Sequence, residues 1–220
     1  MLTGHYGPAF IIKATNKKIP LWMLFLAVQL PDIIWDTLIL AGIEKARINP
    51  SLPSNPLEIY YMPYSHGLVS TVLYSLAVVG VLMLVPNIRR HKAIAWWCGA
   101  AVFSHWLLDF LSHRPDLPIL GDTSLKIGLG LWNCPVWATV IEVALFLGSA
   151  IWYAVSVGGF RRRATWLFWI FVAISVATSC IHSEAIPFTT PYPIAIFALV
   201  YYVLSTLTIY FVERNQLRTN

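Results

Sequence analysis

His105, Asp109, His113 and Asp116 recur at steps of four, four and three in the segment SHWLLDFLSHRPD, so one helix face carries all four. Alternating imidazole and carboxylate on one face offers the nitrogen and oxygen donors that a divalent metal takes. The face continues the apolar run AIAWWCGAAVF, and hydrocarbon makes ionisable groups expensive unless they serve a purpose. A solvated helix end with a His–Asp pair is the plainer alternative. Against it stand matching residues elsewhere: Asp32 and Asp36, an i, i+4 pair, then His66, Glu142 and His182.

These residues need helices to carry them, and the composition supplies helices of one kind. The 220 residues are 58% hydrophobic and 11% charged, with mean hydropathy +0.67, where a soluble domain is typically about 25% charged. The expected fold is all-α: a single transmembrane domain, 1–220, built as a polytopic helical bundle. Six apolar stretches near 20–43, 66–86, 93–111, 136–157, 164–182 and 193–212 are each expected to span, since crossing takes roughly 20 residues. Cys98, Cys134 and Cys180 are widely spaced and imply no disulfide framework. The N-terminal MLTGHYGPAF carries no signal-peptide pattern.

Eleven of fifteen Lys/Arg fall on one side of these spans, among them Lys13, Lys17, Lys18, Arg89, Arg90, Lys92 and Arg161–Arg163. Lys45, Arg47, Arg114 and Lys126 fall on the other. The positive-inside rule then puts both termini in the cytoplasm and loops 44–65, 112–135 and 183–192 outside. The net charge of +5 reflects this topology rather than nucleic acid. HYGPAFII is too short to cross. It is expected either as a half-helix inside the bundle or as an amphipathic surface helix.

At about 1.5 Å of rise per residue, Asp32 and His105 lie roughly 18 Å above the cytoplasmic end, and Asp36, Asp109 and Glu142 roughly 24 Å. Acids and imidazoles from several helices thus share the outer half of the bundle. Carboxylate and imidazole without thiolate fit Zn²⁺, Mn²⁺ or Fe²⁺, with zinc first for mixed ligation. Other polar residues read more plainly. His91 and Glu58 are expected to be solvated, Glu44 to form an interfacial ion pair or a rim group, and His182 and Glu184 to cap a helix or join the rim. Trp96, Trp97 and Trp166 suit the interface belt. Trp132 and Asn133, in GLGLWNCP, belong to a lid or to a link with glycine turns.

The ordered set Gly4-His5, LPD-x3-D (Asp32, Asp36), YSH (His66) and HxxLD (His105, Asp109) resembles the bacterial membrane-bound metal-dependent hydrolases, the family that includes the LexA-regulated inner-membrane hydrolases. QLPDIIWD, YYMPYSHG and SHWLLDFLSHRPDLPI look closer still to an uncharacterised integral-membrane subgroup. The resemblance covers roughly the first 140 residues. It implies a metal site at His5, Asp32, His66, His105 and Asp109. The chain departs from the family pattern in reading PYSH before the middle histidine, and in placing the second acid at Asp36.

The expected function is metal-dependent hydrolysis at the inner membrane, of a lipid or phosphoester. Asp36, Glu142 and His113 are the candidates for base or supporting roles, and Arg114 and Lys126 for drawing in an anionic head group. The alternative is a transporter or channel for ions, protons or a small solute, since buried His/Asp/Glu chains also form ion paths. A third reading is a scaffold whose polar cluster only fixes helix packing.

Overall fold

A computed structural model describes residues 1–158, 162–180 and 188–217; Arg161, His182, Glu184 and Arg218 lie outside the described residues. The fold is mostly helical. Its helices are α1 (Tyr6–Thr15), α2 (Leu21–Val28), α3 (Leu30–Leu40), α4 (Leu68–Leu84), the single turn α5 (Pro86–Arg89), α6 (Ala93–Ser112), α7 (Pro135–Ser156), α8 (Arg162–Ser179) and α9 (Tyr192–Leu217).

Each of the six apolar stretches is helical, but fewer reach spanning length. α6, α7 and α9 are long and apolar enough to cross a membrane, and α2 with α3 makes a fourth if the bent pair counts as one span. α4 and Ala164–Ser179 of α8 are shorter apolar helices. The helices are shorter than the expected stretches because those stretches drew turn residues into the spans. His66 and Gly67 precede α4, for example, and belong to a loop. The expected single span over 20–43 is also two helices, bent by 48° at Gln29. Pro31, in the first turn of α3, has no N–H to continue the ladder.

The helices pack α4 on α6, α1 on α7, α8 on α9, and α2 against both α6 and α9. α1 lies inside the bundle, with Tyr6, Gly7, Ala9, Phe10, Ile12 and Lys13 all buried. This decides between the two expectations for the N-terminal segment in favour of an internal half-helix. Gly7 allows it: a Cβ there would sit 2.8 Å from Leu145 of α7. Around α1, Phe10, Phe25, Phe146, Tyr153, Phe168 and Phe171 form a continuous aromatic core. Large apolar side chains such as Leu76, Val140, Ile170 and Val203 face outward. That surface is costly in water and suited to lipid.

The foot of α1 and the start of α2 are tied together by charge. Lys13 Nζ donates to Glu213 Oε1 at 2.8 Å and to the carbonyls of Lys17 and Ile19. Glu213 Oε2 accepts the Leu21 N–H at 2.7 Å. A carboxylate from α9 thereby caps α2, whose own N-cap, Pro20, has no side-chain hydrogen bond to give.

Two of the connecting loops carry small antiparallel sheets that the all-α expectation did not include. β1 (Lys45–Ile48) pairs with β2 (Leu57–Tyr61), and β3 (Leu117–Pro118) with β4 (Lys126–Ile127). The first hairpin alternates faces. Leu57 and Ile59 turn inward onto Trp35 and Ile39 of α3 and Ala195 of α9, while Arg47 and Glu58 pair on the exposed side. It roofs the space above the helix ends.

Candidate metal centre

Two helices and a loop bring four side chains together under that roof. Asp32 comes from the first turn of α3, His105 and Asp109 from one face of α6, and His66 from the loop entering α4. One ligand atom from each lies within 4.8 Å of all the others. The separations within the group include His105 Nε2–Asp109 Oδ2 2.9 Å, His66 Nε2–Asp32 Oδ1 3.1 Å, His66 Nε2–His105 Nε2 3.3 Å, and His66–Asp109 and His105–Asp32 both 3.4 Å. Tetrahedral ligands at 2.0–2.2 Å from an ion stand about 3.4 Å apart. Five of the six separations among the four atoms therefore fall near those within a divalent metal's ligand shell.

The protons are already arranged for this. His105 Nδ1 donates at 2.6 Å to the carbonyl of Val28, the last residue of α2. A carbonyl can only accept, so Nδ1 carries a hydrogen, and the neutral ring turns its Nε2 lone pair to the group. The bend between α2 and α3 lies one residue further on, at Gln29. His66 is set the same way at longer range. Ser65 Oγ donates to Glu44 Oε2 at 2.6 Å and accepts from His66 Nδ1 at 2.8 Å. Glu44 Oε1 also takes the N–H groups of Tyr64 and Ser65, so this buried acid shapes the loop that carries His66. Its expected role as an interfacial ion pair or rim group is replaced by this one. Asp32 Oδ2 accepts from Tyr202 Oη at 2.8 Å. Partners of this kind orient metal ligands and raise their basicity.

With both rings neutral, two imidazole lone pairs and two carboxylates pointed at one volume are acceptors without a donor. Such a group is unfavourable unless a cation sits among them. The donor set, its spacing and its fixed tautomers thus fit a divalent ion.

The remaining expected residues fall around this group. His5 is not one of the four; its ring stacks on His105 with centroids 3.7 Å apart, and its Nε2 is 3.2 Å from Asp109 Oδ1. His113 Nδ1 donates to Asp116 Oδ1 at 2.8 Å, and its Nε2 is 3.6 Å from Asp109 Oδ1. Asp36 is buried, and neither of its oxygens has a hydrogen-bond partner among the described residues. Glu142, expected as a base or supporting acid, is engaged otherwise. Its Oε1 accepts the N–H groups of Leu2, Thr3 and Gly4 at 2.8, 2.7 and 3.2 Å, so it clamps the segment leading into His5. Thr3 Oγ1 also pairs with Ser179 Oγ.

A cavity of about 440 Å³ opens beside the group, a size that suits a small-molecule ligand. Asp32, Asp36, His66, Asp109, His113 and Glu142 line it with the apolar side chains of Trp35, Leu57, Ile59, Met62 and Phe197. The 112–135 loop makes part of its wall through Trp132, whose ring centroid is 4.1 Å from that of His113. Gly128 lets this loop lie flat on the end of α6: a Cβ there would be 2.2 Å from the Arg114 carbonyl. Arg114 faces neighbouring segments, donating to Asn133 Oδ1 and the Pro53 carbonyl, and Lys126 pairs with Asp122. Both cations expected to attract a head group therefore hold loops together.

Tyr202, Ser65 and the Val28 carbonyl were not anticipated from sequence. Tyr202 is one of ten tyrosines in apolar surroundings, and nothing local marks it. Ser65 adjoins His66 and could have been read as its orienting partner. Compared with known proteins, the chain matches no family model, no curated protein and no solved structure.

Proposed function

We propose that the protein is a metal-dependent hydrolase of the bacterial inner membrane, acting on a lipid or phosphoester from the outer side. In this reading α2–α3, α4, α6, α7, α8 and α9 make six crossings with cytoplasmic termini. The lysine and arginine asymmetry supports that topology, and the resemblance to the membrane-bound hydrolases supports the reaction class. The observation that carries the reading is the group of four acceptor atoms within 4.8 Å, whose imidazole Nδ1 hydrogens are directed to Val28 and Ser65.

Asp32, His66, His105 and Asp109 would hold the ion, with zinc favoured by the mixed nitrogen and oxygen donors. A divalent ion there supplies Lewis acidity to a bound ester or phosphoryl oxygen. The chain does the rest. Asp36, buried and free of hydrogen bonds among the described residues, is placed in the cavity wall to take a proton from water. Tyr202 and the Glu44–Ser65 pair keep Asp32 and His66 aimed. Trp35, Ile59, Met62 and Phe197 give the substrate's hydrocarbon a dry wall.

The test is elemental analysis of purified protein, followed by turnover of a panel of lipid and phosphoesters with and without chelator. Stoichiometric metal is expected, with metal-dependent hydrolysis that Asp36→Asn abolishes while metal content stays unchanged. Wild type without metal sinks the reading. Reporter fusions after Asn87 and Arg163 should read cytoplasmic, and one near Ser124 outer. An outward report after Arg163 reverses the site's sidedness.

One observation favours transport as a second reading. The 48° bend between α2 and α3 lies beside the cluster, and broken helices at mid-depth are a feature of transporters. Below the bend, however, the aromatic core around Phe10 and Phe25 is packed shut. Solute flux in proteoliposomes that Asp36→Asn stops, with no turnover on any ester, would establish transport instead.

A further inference from the structure

Asp109 presents its two carboxylate oxygens to two different sets of nitrogens. Oδ2 faces His105 Nε2 at 2.9 Å and His66 Nε2 at 3.4 Å. Oδ1 faces His5 Nε2 at 3.2 Å, His113 Nε2 at 3.6 Å and the Met1 nitrogen at 3.3 Å. The first set belongs to the group of four. The second lies outside it: there the Met1 ammonium donates to Oδ1, beside the nitrogens of His5 and His113.

The second set has the features of a ligand set. His113 Nδ1 is 2.8 Å from Asp116 Oδ1. An ionised carboxylate only accepts, so the hydrogen is on Nδ1 and the lone pair is on Nε2. A carboxylate–histidine pair of this kind fixes a metal-binding tautomer. His5 is fully buried, and neither ring nitrogen has a hydrogen-bond partner among the described residues. The short approach of its Nε2 to Asp109 is off line for a hydrogen bond. An imidazole left in that state costs free energy that a coordinated ion returns. The separations of the two imidazoles from Oδ1, 3.2 and 3.6 Å, bracket the roughly 3.4 Å expected between neighbouring ligands of one tetrahedral ion. The ring is also held in place: Glu142 clamps residues 2–4, and His105 stacks on the His5 face.

We infer that the centre takes two divalent ions bridged by Asp109, the second held by His5 Nε2, His113 Nε2 and Asp109 Oδ1. The inference rests on the metal-centre reading above and adds a site to it. Ions sharing a carboxylate stand about 3.5–4 Å apart, the spacing at which a pair can clamp both the attacking and the leaving oxygen of a displacement. This arrangement gives His113 and His5 functions that a mononuclear site leaves unexplained.

Metal counting on the full-length protein in detergent decides the matter without reference to turnover. Protein is stripped with chelator, loaded with Mn²⁺, freed of excess and measured for metal per chain. Two ions are expected in wild type, one each in His113→Ala and His5→Ala, and neither retained in Asp109→Ala. Electron paramagnetic resonance of wild type should show an exchange-coupled Mn²⁺ pair, replaced by an isolated ion in His113→Ala. The wild-type spectrum keeps the test intact if a variant fails to fold. One uncoupled ion per chain in wild type, lost in Asp32→Ala but kept in His113→Ala, overturns the second site and leaves the first. A coupled pair that survives both His5→Ala and His113→Ala overturns the assignment of its ligands. Wild type that holds no ion removes both sites together.

Discussion

At the foot of α1, the Lys13 ammonium has three N–H groups and three acceptors: Glu213, the Lys17 carbonyl and the Ile19 carbonyl. At its head, eight residues and about 12 Å away, His5 meets Asp109 with no hydrogen bond between them, and Asp36 has no partner among the described residues. Both places are buried and ionic, and they obey different rules. The foot balances one cation with one anion and fills each donor. The head gathers carboxylates and imidazole nitrogens in excess of the donors the chain brings to them, the Met1 ammonium at Asp109 and the Tyr202 hydroxyl at Asp32. A buried charge is therefore weak evidence for a site. The sharper sign is a buried group whose hydrogen-bond count does not close.

The comparison can be broken or sharpened by substitution. The largest effect is expected from Asp109→Asn. Metal affinity should fall by well over the ~10–100-fold that outer partners contribute, while the fold persists by circular dichroism. Retention of stoichiometric metal would show that the head is no more than another ion-pair cluster. Next comes Lys13→Met, which strands Glu213. Removing one partner of a buried pair costs about 3–5 kcal/mol, to be read as lowered thermal stability with metal content unchanged. The double variant Lys13→Met/Glu213→Leu should recover much of that loss. A change in metal content in either variant would mean that the two ends are not independent.

Smaller effects test how the head is wired. Glu44→Gln disturbs the Ser65–His66 orientation and should weaken metal binding by about 10–100-fold. Tyr202→Phe removes a single hydrogen bond to Asp32. It should cost near the lower end of the ~1.5–3 kcal/mol assigned to bonds with charged groups, or roughly tenfold in affinity. Competition with a fluorescent chelator measures both. Glu58→Gln breaks the exposed Arg47 pair on the hairpin and should change neither affinity nor stability measurably, since exposed pairs contribute little.

What could be read in advance follows from how rare each signal is. Ionisable residues stand out in apolar helices, so Asp32, His66, His105 and Asp109 were visible, and helical periodicity put His105 and Asp109 on one face. The helical character of the six apolar stretches was equally plain, but their lengths were not, because hydropathy does not mark where a helix gives way to a turn. The bend at Gln29 had a local sign in Pro31 that was absorbed into a long apolar run. The hairpins were hidden by short strands with one exposed face. The partners Tyr202 and Glu44 lie 170 and 22 residues from the side chains they orient, and no local pattern encodes such contacts. Glu142 was found for its depth, but its contacts with residues 2–4 were not, because depth does not say which groups a carboxylate will meet.

The short helices carry a consequence for the surrounding lipid. The 17 residues of α4 rise about 25 Å, several ångströms less than a hydrocarbon core of about 30 Å. The 22 residues of α7 rise about 33 Å. With α4 among the crossings proposed above, a bilayer closing around this bundle meets a thin flank at α4 and a thick one at α7, and must deform on at least one side at a modest cost per ångström of mismatch. Membrane thickness is, in that reading, a variable to which the protein's stability responds. Its thermal stability should peak in bilayers of short-chain lipid and decline as the chains lengthen, and a flat response would mean that α4 does not face lipid along its full length.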